Sequence, residues 1–206
     1  MKKAKKKVKI NGEEFKKRDK GILAFNLVFL AYFIFYFAFQ RNWEFLIYSI
    51  FILFVIALMV QLHKKYRFST FVLVGVTIAH VLHKMGRYLV INGKILYQAE
   101  VIEGILRFDK ILHFWNIFVF TIVGFYFLKP YIKTIEKKRV ISLILFLFGL
   151  GIGTFWEMFE FSVVAMNINN GVGGYFNTMG DIVANTVGAG CAILYLHMKG
   201  MFKKLS

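Results

Sequence analysis

Six long apolar segments, separated by short polar stretches, dominate the pattern of hydrophobic and polar positions along the chain. A helix needs roughly 20 apolar residues to cross a hydrocarbon core about 30 Å thick, and each segment is close to that length. The pattern predicts transmembrane helices at residues 21–39, 43–62, 68–91, 111–128, 140–165 and 181–198. We therefore predict an all-α integral membrane bundle over residues 21–200, with a basic tail at residues 1–20 and a short tail at residues 201–206.

Composition excludes a water-soluble domain. Of the 206 residues, 58% are hydrophobic and 25 are phenylalanine, and the mean hydropathy is +0.60. These values are typical of membrane proteins. The single cysteine, Cys191, excludes an intrachain disulfide and lies in an apolar segment, which indicates a packing role.

Charge indicates orientation. The net charge is +16, but the basic residues cluster at the ends of apolar segments and do not form a nucleic-acid-binding domain. Most Lys and Arg lie before the first helix, after the second and fourth helices and in the C-terminal tail. The alternate loops carry only Arg41, Lys94, Arg107 and Lys110. The positive-inside rule then predicts a multi-pass protein of the cell membrane with both termini cytoplasmic.

With this orientation, polar side chains of the last four helices gather in the outer half of the bilayer. The set contains His80, His83, Lys84, Arg87, Asp109, His113, Glu157, Glu160, Asp181 and Asn185. Within each helix they recur at three- and four-residue spacing and so share a face. An ionisable group near the bilayer centre costs about 2.5–3.5 kcal/mol on insertion scales, so such groups face the bundle interior and mark a site. We therefore predict one shared polar pocket.

Glu157 and Glu160 need a counter-charge, because two acids one turn apart raise each other's pKa at low dielectric. A metal cation, the pair Lys84 and Arg87, or a shared proton would each supply it. Carboxylate oxygens combined with imidazole nitrogens suit Zn²⁺, Mn²⁺ or Fe²⁺. The candidate ligands of a divalent metal are His80, His83, Asp109, His113, Glu157, Glu160 and Asp181.

The same polar residues are candidates for catalysis and for substrate binding if the protein is an enzyme. Asp109, His113, Glu157 and Glu160 are the candidate catalytic groups, and Arg87, Lys84 and Asn185 are candidates for binding the substrate.

Structural interpretations also fit several of these residues. Asp109 and Asp181 stand near helix starts and can act as caps. His80 can bond a neighbouring helix, and Lys84 can extend to the interface. His63, at the cytoplasmic end of its helix, is expected to be solvated.

Small residues predict a close approach of the fifth and sixth helices. They lie at four-residue spacing, a pattern that allows close helix packing. The set contains Gly149, Gly153, Ala184, Gly188 and Ala192.

Three motifs, "DKILHF", "FWEMFEF" and "YFNTMGDIVANTVGA", together resemble the YjdF-like family of membrane proteins and, more loosely, the VanZ-like proteins. The resemblance covers most of the chain after the second helix and implies a polytopic bundle. The family pattern often has Asp before the Thr of the last motif, where this chain has Asn177, and the change removes a candidate anionic ligand.

Three classes of function remain open. The first is action on, or recognition of, a lipid or lipid-linked headgroup, with metal-assisted hydrolysis as the enzymatic form. The second is a transporter or proton-coupled permease, although the cytoplasmic halves of the last four helices offer few polar groups for a path. The third is a non-catalytic membrane partner or resistance factor. The lipid bilayer is the expected partner in each case, and nucleic acid is not.

Overall fold

The computed structural model describes residues 15–131, 138–166 and 174–202. These residues form six long helices, and the structure is an all-α membrane bundle. The helices are α1 (Lys17–Phe39), α2 (Trp43–Tyr66), α3 (Thr70–Tyr88), α4 (Phe108–Leu128), α5 (Lys138–Ala165) and α6 (Tyr175–Met198). Five of the helices are long and apolar enough to cross a membrane.

The helix ends differ from the predicted ones by a few residues. α1 begins at Lys17, within the predicted tail, whose residues 1–14 lie outside the described part of the chain. Residues 203–206 of the C-terminal tail lie outside it too. α6 begins at Tyr175, six residues before the predicted start. This early start places Asn177 and Asp181 inside the helix, one turn apart.

α3 is the helix that is not among the five apolar spans, because His80, His83, Lys84 and Arg87 lower its hydropathy. It packs between α1 and α4. Its 19 residues correspond to a length of about 28 Å at 1.5 Å per residue. Because α3 packs between α1 and α4, these helices shield its polar face.

Two short β-hairpins follow α3, where we predicted the end of a helix and a loop. They contain β1 (Val90–Ile91), β2 (Lys94–Ile95), β3 (Glu100–Ile102) and β4 (Leu106–Arg107), with a 3₁₀ turn at Leu96–Gln98. Asn92 and Gly93 make the first turn at φ values of 52° and 77°. The Asn-Gly pair suits this left-handed turn, and it marks a hairpin in the sequence.

The helices alternate in direction, so the described chain ends meet at one end of the bundle. The Phe15 ring stacks on His63 at the end of α2, and Phe202 contacts Phe125 near the end of α4. We call this the terminal end. The hairpins lie at the opposite end, which we call the hairpin end.

α4 lies at the centre of the C-terminal half. It contacts α3, α5 and α6 and is the most buried of the five apolar spans. Val119 and Phe125 of α4 are fully buried with Leu145 of α5 and Leu196 of α6. Large apolar side chains such as Phe35, Phe54, Leu147 and Val183 are exposed on the outside of the bundle, as a lipid-facing surface requires.

Glycines on α5 permit close contact with its neighbours. A Cβ atom at Gly149 would meet Thr121 and Ala189, and one at Gly153 would meet the Asn185 side chain at 2.9–3.1 Å. The predicted close approach of α5 and α6 is therefore confirmed at Gly149 and Gly153. Gly188, in contrast, faces the backbone of α4 at Phe114.

Replacing Gly149 tests this packing. We expect Gly149→Val to lower the free energy of unfolding by about 1–3 kcal/mol, because the new side chain overfills a closed contact. Gly151→Val is the matched control, since a Cβ atom there meets nothing within 4 Å. Thermal unfolding in detergent measures both variants, and equal melting temperatures would contradict the packing.

Candidate functional site

α4, α5 and α6 bring eight polar residues together near the hairpin end, and we call this group the His113 cluster. Within each helix the residues are spaced three or four apart, except that Lys110 directly follows Asp109 on α4. The cluster consists of Asp109, Lys110, His113, Glu157, Glu160, Asn177, Asp181 and Asn185.

The His113 imidazole is the centre of the cluster and is only 4% exposed. Its Nδ1 atom lies 3.3 Å from the Glu157 carboxylate. Its Nε2 atom lies 3.7 Å from Asp109, 3.7 Å from Asp181 and 4.0 Å from Glu160. One edge of the ring therefore faces one carboxylate, and the other edge faces three.

Lys110 provides the counter-charge. Its Nζ atom donates to Asp181 at 2.6 Å and to the Asn177 side-chain oxygen at 2.8 Å, and it lies 3.3 Å from Asp109. From the sequence, Lys110 is one of the loop cations, and this role is not predicted. Its position next to Asp109 in "DKILHF" is the signal that could have shown it.

Asn177 links the two ends of this ion pair. Its side-chain oxygen accepts from Lys110, and its amide nitrogen donates to the second oxygen of Asp181 at 2.8 Å. Asn177 occupies the position where the family pattern often has Asp. Its neutral side chain lies between the Lys110 cation and the Asp181 anion.

Two donors fix the glutamates of α5. The Trp156 indole donates to Glu160 at 2.7 Å, and the Asn185 amide donates to Glu157 at 3.4 Å. The Asn185 side-chain oxygen is buried and has no hydrogen-bond partner within the described part of the chain. Trp156 therefore takes part in the site.

The acids at the helix starts do not act as caps. α6 starts at Tyr175 with Gly174 as its N-cap, so Asp181 lies in the second turn. The N-cap of α4 is Arg107, and no side chain caps that helix. Both Asp109 and Asp181 instead face His113 and Lys110.

Three of the predicted metal ligands have suitable geometry. Asp109, His113 and Asp181 each offer one ligand atom, and these atoms lie within 4.8 Å of one another. Metal-bound histidines usually give their second ring nitrogen to a carboxylate, which is the position of Glu157 at Nδ1. The donor set of one imidazole and two carboxylates fits a transition-metal ion.

A large cavity of about 920 Å³ lies above the cluster at the hairpin end. Asp109, Glu160 and Asn177 belong to its wall, together with four cationic side chains from the loops and α3. These cations are Arg41, Arg87, Lys94 and Arg107.

Tyr97 anchors the hairpins to α3 beside the cavity. Its hydroxyl donates to the His83 carbonyl oxygen at 3.0 Å. Burial, followed by the charge of Asp109, raises the pKa of Tyr97 well above its ordinary value, so the hydroxyl stays protonated. The wall formed by the hairpins is thus tied to the bundle.

The structure separates the polar residues of α3 from the His113 cluster. His80 faces Asn26 of α1 at 2.9 Å, and Lys84 is fully buried and donates to Ser49 of α2 at 2.6 Å. Lys84 therefore neither reaches the interface nor lines the cavity. His83 lines the cavity, but its ring contacts the Trp156 ring at a centroid distance of 5.6 Å. Of the cationic pair predicted on α3, only Arg87 faces the cavity.

The fold and this site define a polytopic membrane protein with a buried polar centre at one end of its bundle. The chain belongs to the family described as "Predicted membrane protein (DUF2238)", whose family model matches residues 21–200. The match agrees with the resemblance to the YjdF-like family in the motifs of α4, α5 and α6. No curated protein and no solved structure matches the chain.

The Lys110 ion pair can be tested by its effect on stability. In chelator-treated protein, we expect Lys110→Met to lower the free energy of unfolding by about 3–5 kcal/mol, because it leaves buried carboxylates unpaired. Adding Asp181→Asn should restore part of the loss. Lys94→Met, at an exposed position, is the control. Equal melting temperatures of Lys110→Met and the control would show that the ion pair does not stabilise the fold.

Proposed function

We propose that this protein is a metal-dependent membrane hydrolase that acts on the anionic headgroup of a lipid or lipid-linked molecule. The observation that carries the proposal is the His113 ring, held by Glu157 at Nδ1 with Nε2 facing Asp109 and Asp181. A histidine that serves only packing has no need of carboxylates at both ring nitrogens.

Charge supports a cation at this position. The cluster contains four carboxylates, and Lys110 is its one ammonium group. If His113 is neutral and all four carboxylates are ionised, three negative charges remain in a region of low dielectric. A divalent cation between Asp109, His113 and Asp181 would offset most of this charge, and its ligands would be two carboxylate oxygens and Nε2.

The cavity supports an anionic headgroup as the substrate. Arg87 extends from α3 toward the cavity and lies over the Phe45 ring at 5.9 Å, which holds its guanidinium in place. Arg41, Lys94 and Arg107 add positive charge around the opening, and Glu44 and Glu100 in the same wall offset part of it. Trp43, an apolar side chain that is 62% exposed, lines the same cavity and suits contact with the lipid part of the substrate.

Hydrolysis needs a water molecule, an acceptor for its proton and a stabilised leaving group. The bound cation would polarise the water. Glu160 faces the cavity and would accept the proton as the water oxygen bonds to the phosphorus of a phosphate ester. The ester P–O bond then breaks, and the leaving alkoxide takes up the proton that Glu160 accepted from the water. Asn185 acts through Glu157 and does not contact the substrate.

The proposal places the cavity at the extracytoplasmic leaflet and both termini in the cytoplasm. Two observations support this orientation. The described chain ends share the terminal end, and Lys64, Lys65 and Arg67 lie there as well. The positive-inside rule assigns such an end to the cytoplasm.

Metal content tests the ligand set. We expect about one Zn²⁺, Mn²⁺ or Fe²⁺ per chain in protein purified without chelators, and near-complete loss in His113→Ala and Asp181→Asn. Glu157→Gln should weaken metal binding by about 10–100-fold, as changes next to a ligand do. His197→Ala, at the terminal end of α6, should keep the metal. Elemental analysis of the four variants and the wild type gives the answer. A metal-free wild type after reloading, or full metal content in His113→Ala, would contradict the site.

Turnover tests the chemistry separately. We expect Glu160→Gln to keep the metal and to lose on the order of 10²–10⁴-fold in rate, because it removes the proton acceptor. Arg87→Gln should mainly raise KM. The measurement is mass-spectrometric detection of headgroup release from liposomes that contain defined anionic phospholipids. Glu103→Gln, in the exposed hairpin, is the control. A metal-loaded wild type that releases no headgroup from any anionic phospholipid would refute the hydrolase.

A further inference from the structure

A second set of polar contacts lies in α1, α2 and α3, away from the His113 cluster. It consists of three levels, which we call the polar ladder: Asp19 with His63, Asn26 with Thr77 and His80, and Ser49 with Lys84. None of these contacts takes part in the proposed hydrolysis. The scarcity of polar groups noted above concerns the cytoplasmic halves of the last four helices, whereas the lower levels of the ladder also use Asp19 and Asn26 of α1 and His63 of α2.

The lowest level is at the terminal end. His63 Nε2 lies 3.3 Å from the Asp19 carboxylate, and both residues are buried. The imidazole lies between the rings of Phe15 and Phe68 at centroid distances of 5.2 and 5.8 Å. The prediction that His63 is solvated is therefore wrong.

The middle level joins α1 to α3. The Asn26 amide donates to the Thr77 hydroxyl at 2.7 Å, and its oxygen lies 2.9 Å from His80 Nδ1. His80 is only 5% exposed, and its Nε2 atom has no hydrogen-bond partner in the described residues. With Nδ1 donating to Asn26, this nitrogen is free to accept a proton.

A crevice of about 60 Å³ connects the two levels, and Asp19, His63, Asn26 and Thr77 all line it. A water molecule needs roughly 10–15 Å³ of such space and also polar partners. These four side chains are the polar part of the lining, and the other eight lining residues are apolar. Asp19 and Asn26 are seven residues apart on α1, a rise of about 10 Å. Water held by the four polar side chains would span the interval between the lower levels.

The top level approaches the cavity. Lys84 is one turn beyond His80 on α3, and its Nζ atom donates to Ser49. His83, the next residue back, lines the cavity, and its Nδ1 atom is buried without a hydrogen-bond partner in the part of the chain that the structure describes. Polar groups thus continue from the terminal end to the cavity at intervals of about 10 Å or less along helices that rise 1.5 Å per residue.

We infer that α1, α2 and α3 conduct protons between the terminal end of the bundle and the hairpin-end cavity. A proton enters at the Asp19–His63 pair, crosses the crevice through water and passes from its Asn26 end to the Nε2 atom of His80. Lys84 first releases its own proton toward His83 and the cavity water, and its neutral amine then takes the proton from His80. Each group returns to its starting state after one proton has crossed. Intramembrane histidine, lysine and aspartate side chains are costly in hydrocarbon, and proton relays are a principal use of them.

Proton flux into proteoliposomes tests this inference. Vesicles that contain purified protein and a pH-sensitive dye are given a potassium diffusion potential with valinomycin, and internal pH is followed. The internal pH of vesicles with wild-type protein should change much faster than that of empty vesicles. The sign of the diffusion potential determines whether the lumen becomes more acidic or more alkaline. His80→Gln keeps a hydrogen-bonding side chain but cannot carry a proton, so flux should fall about tenfold or more. Asn26→Leu removes the contacts with Thr77 and His80 at the middle level, and it should lower the proton flux by a similar factor.

Controls separate this result from folding and from hydrolysis. His197→Ala removes a histidine outside the ladder that contacts Ser142 at 2.9 Å, and it should leave flux unchanged. Glu160→Gln should abolish headgroup release and keep proton flux. Melting temperatures identify any variant that fails to fold. Wild-type flux equal to that of empty vesicles, or full flux in folded His80→Gln, would overturn the inference.

Discussion

The need to pair polar side chains inside hydrocarbon is the constraint on which this structure depends. Water is not available there, so each buried ionisable group needs a partner from another helix. His113 and Lys110 meet this need for the acids of α5 and α6. Both residues lie on α4, the helix that contacts α3, α5 and α6. The central position of α4 therefore follows from the polar residues at its start as well as from its apolar surface.

Small residues make this pairing possible. Gly153 lets the Asn185 side chain lie against α5, and Asn185 then reaches Glu157. Gly180 has the same effect on α6, where a Cβ atom would meet the Lys110 side chain at 2.8 Å. A bulkier residue at either position would displace a polar group from its partner. The glycines of α5 and α6 therefore contribute to the site through backbone distance and not through any chemistry of their own.

The sequence predicts the helices well because hydropathy depends on local composition, and it predicts faces within a helix because spacing is fixed. Asp109 with His113, and Glu157 with Glu160, are examples. Partners between helices depend on rotation and packing, which spacing does not reveal. His80 and Lys84 share a face with His83, yet they contact α1 and α2. Asn26 and Ser49 are single polar residues in apolar segments, so no pattern marks them.

The cavity is where the two halves of the bundle meet, and Trp156 lies at their boundary. Its ring contacts His83 and stacks on Tyr48, while its indole nitrogen donates to Glu160. An indole N–H is a donor only, so Trp156 cannot pass a proton from one half to the other. In the proposed relay, exchange between His83 and Glu160 would therefore use water in the cavity that both residues line. A substrate that displaces this water would stop proton exchange between the two halves of the bundle, whereas a water-filled cavity would allow it.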